Sequence, residues 1–219
     1  MKSLHRWNVS IEEAICIQEE LRNQIVLEKT FAEVKTIGGG DVAYSKSGTL
    51  LFSAIVVLSF PEMETLDIAT ASGEITFPYI SSLFSFREAP ILIKTFQKLG
   101  VKPDIMIYDG QGIAHPRGVG LASHMGLWSD LPSIGCAKTP LLHEYILPGP
   151  SRGSFESIRR DGKAVGAVLR TKDRVKALFV SPGYRIDLMT SIQLVLATCQ
   201  RFRIPEPLRK AHQLSRKML

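Results

Sequence analysis

No stretch of this 219-residue sequence is long and apolar enough to cross a bilayer. The longest unbroken apolar run, Ala54 to Leu58, falls far short of the roughly 20 residues a spanning helix needs. No apolar segment follows Met1-Lys2-Ser3 either, so a secretory signal is not expected and a cytoplasmic location is. Cysteine is scarce. Cys16, Cys136 and Cys199 are odd in number, far apart and set among apolar residues, which argues against a disulfide framework and leaves no CxxC pair for zinc. Familiar hydrolytic signatures are missing as well: there is no G-x-S-x-G nucleophile elbow, no G-x-x-x-x-G-K-[ST] phosphate loop and no H-E-x-x-H zinc helix. Gly118-Val119-Gly120-Leu121-Ala122-Ser123 lacks the last glycine of the dinucleotide fingerprint and lies well past its strand, a weak sign of nucleotide binding.

What is present is core-forming material. With 45% hydrophobic and 22% charged residues, no internal repeat and no low-complexity tract, residues 1–219 are expected to form one globular domain. A net charge of +6 leans modestly toward a polyanionic partner. Ser10-Ile11-Glu12-Glu13 is a capping box and opens a helix that the apolar spacing extends to about Lys29. Thr36 to Tyr44, Leu50 to Phe60 and Glu64 to Thr70 read as a three-strand meander whose first turn carries Gly48. The pattern then alternates: a helix over Phe86 to Leu99 with Pro90 in its first turn, a strand over Ile105 to Tyr108, a helix over Gly118 to Leu131 and a strand over Ser133 to Ala137. Arg160-Asp161-Gly162 turns a hairpin between Phe155–Arg159 and Ala164–Thr171, a strand over Val175 to Val180 follows, and helices over Leu188–Phe202 and Pro207–Lys217 finish the chain. This order implies an α/β fold with a mixed sheet.

Acids beside glycines at element ends are where chemistry is expected. Asp41 follows Gly38-Gly39-Gly40 inside a strand, where strand propensity disfavours glycine and a close approach of ligand or backbone would need it. Asp109 ends the Ile105–Tyr108 strand and precedes Gly110-Gln111-Gly112, at the carboxyl end where open α/β sheets bind ligands. Glu88 is placed in the first turn of its helix. Two have a plain alternative: a turn at Asp109-Gly110, a helix-dipole contact for Glu88. As a set they are harder to dismiss, because two carboxylates about 4 Å apart repel by roughly 4 kcal/mol at an effective dielectric of 20. Gathering three calls for a cation. Hard oxygen ligands without clustered cysteine or histidine suit Mg²⁺, with Mn²⁺ as substitute, and such ions serve in-line displacement at phosphorus.

Several segments occur together in the order and spacing of a known family. They are Gly40-Asp41-Val42-Ala43-Tyr44, Pro78-Tyr79-Ile80, Ser85-Phe86-Arg87-Glu88, the nonapeptide Asp109 to Arg117, Gly135-Cys136-Ala137-Lys138, Ser181-Pro182-Gly183, and Pro205 through His212. The chain resembles endonuclease V from about residue 10 to its end. The resemblance implies an RNase H-like fold, flanked by helices, and a metal-dependent endonuclease. Its expected substrate is DNA containing deoxyinosine, cut one nucleotide beyond the lesion on the 3′ side to initiate repair of deaminated adenine. Some members prefer inosine in RNA. The family's metal-binding acids fall on Asp41, Glu88 and Asp109, and its wedge tyrosine on Tyr79, between Pro78 and Ile80. A base pocket is expected from the backbone at Gly110, Gln111, Gly112 and Ile113, since glycine lets main chain meet a base edge.

His115, Lys138 and His212 match family positions near the active site, with Lys138 and His212 as catalytic candidates. Arg117, Arg152, Arg159 and Arg160 are candidates for phosphate contact, and His124 and His143 are given no role. The wedge loop departs from the family by carrying Ser81-Ser82 where Pro-Gly is common, and Tyr184 stands where a histidine is common, which bears on substrate preference. No membrane and no obligate protein partner is expected. On the residues alone, an RNase H-like nuclease of other specificity and a non-catalytic nucleic-acid-binding module stay open as alternatives.

Overall fold

The computed structural model describes residues 3–142 and 144–219. Eight strands form one mixed sheet: β1 (Thr36–Tyr44), β2 (Leu50–Ser59), β3 (Thr65–Glu74), β4 (Ile105–Tyr108), β5 (Ser133–Ala137), β6 (Phe155–Arg160), β7 (Lys163–Leu169) and β8 (Leu178–Tyr184). Their order is β3-β2-β1-β4-β5-β8-β7-β6. The meander β1–β3 is antiparallel, β1, β4 and β5 run parallel, and β8, β7 and β6 complete the sheet antiparallel. This is the mixed α/β sheet that the alternation of elements implies, and it agrees with the RNase H-like fold that the family resemblance implies.

Among the described residues there are five α-helices, α1 (Ile11–Arg22), α2 (Phe84–Phe96), α3 (Leu121–Ser129), α4 (Leu188–Thr198) and α5 (Glu206–Lys217), of which α2 to α5 cover the sheet. On one face α2 and α3 bury Leu92, Phe96 and Met125 against Ile55, Met106 and Tyr108. On the other, α4 and α5 bury Ile192, Val195 and Leu208 against Ile37, Ile107 and Ile134. Covered on both sides, β4 is apolar at every position, as a central parallel strand must be. Among the described residues no helix is long and apolar enough to cross a membrane.

The glycines of β1 decide how closely these layers meet. A Cβ on Gly39 would lie 2.2 Å from the backbone carbon of Pro207, and one on Gly38 2.2 Å from Met106 Sδ. The backbone of α5 therefore rests directly on β1, which carries the helix's residues 212 and 215 over the strand's end. The close approach anticipated at Gly38-Gly39-Gly40 is made by the protein's own helix and side chains.

Several element ends differ from the sequence expectation. The capping box of α1 forms, with Ser10 Oγ accepting from the Glu13 N–H and Glu13 reaching back, but the helix stops at Arg22, where Asn23 bonds back to the Glu20 and Leu21 carbonyls. Helix α2 begins at Phe84, so Pro90 lies in its interior and Glu88 beyond its first turn. The proline forgoes one bond to the Phe86 carbonyl, and the helix-dipole alternative for Glu88 lapses because the dipole's effect is confined to the terminal turn. Strand β3 runs on to Glu74 because its pairing with β2 continues through Leu51 and Gly73. Helix α3 starts at Leu121, after Gly120, and α4 ends at Thr198, short of Phe202. Strand β8 starts at Leu178, opposite Leu169 of β7, and continues through Pro182 at a register shift against β5, the kind of place a strand tolerates proline.

Candidate active site

The parallel pairing of β1 with β4 sets Gly40 beside Tyr108, so the next residues, Asp41 inside β1 and Asp109 just past the end of β4, lie side by side. Side chains alternate along a strand, and Tyr108 packs toward α2, so Asp109 and Asp41 share the opposite, α5-facing side. Glu88 arrives from α2. All three line one cleft of about 570 Å³.

Each acid meets a protein donor. Asp41, 5% exposed, accepts from Ser215 Oγ at 2.6 Å and lies 3.3 Å from His212 Nδ1, both through Oδ2. Glu88, 4% exposed, accepts from the Tyr44 hydroxyl at 2.7 Å. Asp109 Oδ2 pairs with the Lys138 ammonium. Burial pushes the Glu88 carboxyl well above its ordinary range and the charges of Asp41 and Asp109 push it further, while the Tyr44 hydrogen bond opposes them. Asp41 is raised by burial and then by Asp109, against the Ser215 hydrogen bond and the charges of His212 and Lys138. The site thus holds carboxylates that the protein's own donors only partly satisfy.

The donor set suits a hard divalent cation. Among the described residues no three Asp, Glu, His or Cys side chains are gathered closely enough to make a complete ligand set by themselves. With two buried acids pushed above their ordinary range, negative charge here is only partly compensated by the protein's own groups.

Tyr79 lines the cleft with its side chain 68% exposed, its ring edge-on to Phe84 at 6.0 Å. Beside it Pro78 is exposed, whereas Ile80 packs with Phe77, Leu83 and Phe86 and anchors the loop. Gly110 and Gln111 also line the cleft. Gly112 and Ile113 do not: the Gly112 N–H donates to Ser181 Oγ at 2.7 Å, the Ile113 N–H to the Pro182 carbonyl at 2.8 Å, and a Cβ on Gly112 would lie 2.0 Å from that carbonyl oxygen. Glycine at 112 serves close packing on β8, so the expected backbone wall narrows to residues 110 and 111.

His115 lines the cleft and donates from Nε2 to the Ser82 carbonyl at 2.9 Å, while its Nδ1 accepts from the Arg117 N–H; burial pushes it down to about 4, keeping it neutral. Arg117 lies outside the cleft, donating to Gln18 Oε1 at 2.6 Å and to the Ser82 carbonyl at 2.8 Å. Together these side chains clamp the turn just after Tyr79. The guanidinium of Arg160 braces the Ile113 and His115 carbonyls, that of Arg159 the Gly162 carbonyl and that of Arg152 the Leu196 carbonyl. His124 is buried among aromatic rings with its Nε2 2.7 Å from His5 Nε2, and His143 lies outside the described residues.

Tyr44, Ser215 and Gln18 are the contributors that the sequence did not single out. Tyr44 stands in the segment that carries Asp41, and Ser215 one turn beyond His212; that proximity was the available signal.

The sheet order and its helical layers define an RNase H-like α/β protein with an acid-lined cleft at the carboxyl ends of its parallel strands. A family model for endonuclease V matches residues 19–213, and the chain belongs to that family. It is 47% identical over 218 residues to an endonuclease V of Dictyoglomus turgidum, covering 100% of this chain and 94% of the relative. The crystal structure of the endonuclease V from Streptomyces avermitilis matches with a TM-score of 0.91 at 39% identity, over 97% of this chain and 94% of that one. A Ciona intestinalis endonuclease V, solved with a 23mer DNA containing an inosine followed by a ribo-adenosine, matches with a TM-score of 0.84 at 30% identity, over 96% and 98%.

Proposed function

We propose that this chain is a divalent-metal-dependent endonuclease that recognises deoxyinosine in DNA and hydrolyses the phosphodiester one nucleotide beyond the lesion on its 3′ side, initiating repair of deaminated adenine. The observation that carries this reading is the convergence of Asp41, Glu88 and Asp109 on one cleft beneath an exposed tyrosine. Those three acids would hold Mg²⁺, with Mn²⁺ as substitute. When bound, such an ion neutralises the acids, polarises a phosphate and makes water a stronger nucleophile.

The chain's own side chains do the rest. Lys138, paired with Asp109 in the free protein, stands at the cleft wall where its ammonium can turn to a phosphate oxygen. His212 presents Nδ1 to Asp41 and can hold a proton there. Tyr79 supplies an aromatic wedge: a ring pushed into a base step unstacks it and lets the base rotate out. His115 and Arg117 hold the Ser82 carbonyl and so fix the base of the wedge loop. This clamp supplies stiffness that the family's commoner proline gives and Ser81-Ser82 does not. Gly110 lets a base approach the main chain closely.

The Ciona relative's inosine-containing DNA supports this substrate class, and the ribo-adenosine in the same strand favours a second reading in which inosine in RNA is also cut. Labelled strands carrying a single inosine, as DNA and as RNA, incubated with Mg²⁺ or EDTA, test both. The expected result is one product, cut one nucleotide 3′ of inosine, with Mg²⁺ only. Equal cutting of plain strands would point to an RNase H-like nuclease without a base pocket, and binding without cutting to a non-catalytic module. Tyr79→Ala is expected to lower kcat/KM on duplex DNA by about tenfold or more and on single strands by less, because unstacking a paired base costs a few kcal/mol. Equal losses on both substrates would deny Tyr79 the wedge role.

A further inference from the structure

The three acids share a pattern that their individual contacts do not announce. Asp41 is held through Oδ2 by Ser215 and His212, Glu88 through Oε1 by Tyr44, and Asp109 through Oδ2 by Lys138. Among the described residues, the second oxygen of each carries no hydrogen bond, and none of these second oxygens is a fully buried unpaired atom. We infer that Tyr44 and Ser215 are positioning residues for the metal-binding acids, each hydroxyl fixing one carboxylate oxygen so that the other is presented to the cation. This rests on the metal-binding reading of Asp41, Glu88 and Asp109 above.

The terminal torsion of a carboxylate is broad and roughly two-fold, so an uncapped acid would offer either oxygen in many orientations. A donor on one oxygen selects a single orientation. Tyr44 does this across elements, from β1 to α2, with its ring braced under the Arg87 guanidinium 5.2 Å from the centroid. Ser215 is fully buried, and its one proton has a choice of two acceptors, Asp41 Oδ2 at 2.6 Å and the His212 carbonyl at 3.1 Å; the shorter contact takes it. Both caps are neutral. They orient the acids without cancelling the charge a cation requires, which the ammonium of Lys138 on Asp109 does cancel. Outer-shell donors of this kind hold ligands in other metal sites, where losing one weakens metal affinity by about 10–100-fold.

The test is Mn²⁺ binding to the metal-free, full-length protein without DNA, followed by the loss of the free-ion paramagnetic signal, alongside unfolding temperatures in EDTA. Tyr44→Phe and Ser215→Ala are each expected to weaken Mn²⁺ about tenfold or more, and Ser215→Thr to retain most of the affinity because it keeps the hydroxyl. Asp41→Ala is the control. If it leaves Mn²⁺ binding intact, the ion sits elsewhere and the metal reading falls with this inference. If Asp41→Ala abolishes binding while both hydroxyl variants stay within about twofold of wild type and lose only unfolding temperature, the hydroxyls are structural and this inference alone fails.

Discussion

Asp41→Asn is expected to lower Mg²⁺-dependent cleavage of an inosine strand by about a thousandfold or more, while the metal-free protein stays at least as stable as wild type. The two effects share one cause. Asp41 is buried, and its charge is opposed by burial and by Asp109. Asparagine keeps the shape and can still accept from Ser215 through its carbonyl oxygen, so it removes a disfavoured charge without opening a cavity. The same charge is what a cation would bind, and a metal ion contributes several kcal/mol to charge stabilisation in the transition state, where each 1.36 kcal/mol is tenfold in rate. Single-turnover cleavage and urea unfolding in EDTA measure the two halves separately. Cleavage within tenfold of wild type would remove Asp41 from the reacting centre. A matching loss of stability would make the defect one of folding.

Asp41 and Asp109 are legible in the sequence as candidates because of where they stand. Asp109 ends a fully apolar four-residue strand and Asp41 follows three glycines in another, so position alone marked both. The hydroxyl partners of these acids were not legible, because serine and tyrosine are ordinary residues and Ser215 lies 174 positions from Asp41 in the chain. Only the seating of α5 on Gly39 brings them together, and a run of glycines reports that something approaches closely without saying what. Gly112 shows the same ambiguity with the other outcome: the close neighbour is strand β8, not a ligand. Local rules failed where long-range pairing overrode them. Val175 is apolar enough to begin a strand, yet β8 begins at Leu178 because its register against β7 starts at Leu169. Pro90 reads as a first-turn residue, but α2 extends to Phe84 and carries the half-buried proline in its interior.

Glu88→Gln should show the cost of keeping a charge ready for a cation, as a stability difference that depends on pH. In the folded protein the Glu88 carboxyl titrates well above its ordinary 4.5, because of burial first and then the charges of Asp41 and Asp109. Over the interval between the unfolded and the folded pKa the native state binds the extra proton, so the stability of wild type falls as pH rises through it. Below about pH 4 the acid is protonated in both states and the penalty is absent. It is fully developed once the pH exceeds the folded pKa. Glutamine carries no such penalty and can still accept from Tyr44. In EDTA the variant should therefore match wild type near pH 4 and become progressively more stable than it toward neutral pH. The buried histidines, His115 pushed down to about 4 and His124 pushed well down by burial, are common to both proteins and cancel in the difference. Adding Mg²⁺ near neutral pH should narrow the gap from the wild-type side, since a ligand at 100 times its Kd stabilises the state that binds it by about 2.7 kcal/mol. Urea unfolding of both proteins at several pH values, with and without Mg²⁺, measures this. A gap that is flat with pH would mean Glu88 is as well satisfied folded as unfolded, and a gap indifferent to Mg²⁺ would mean the ion is not held at Glu88.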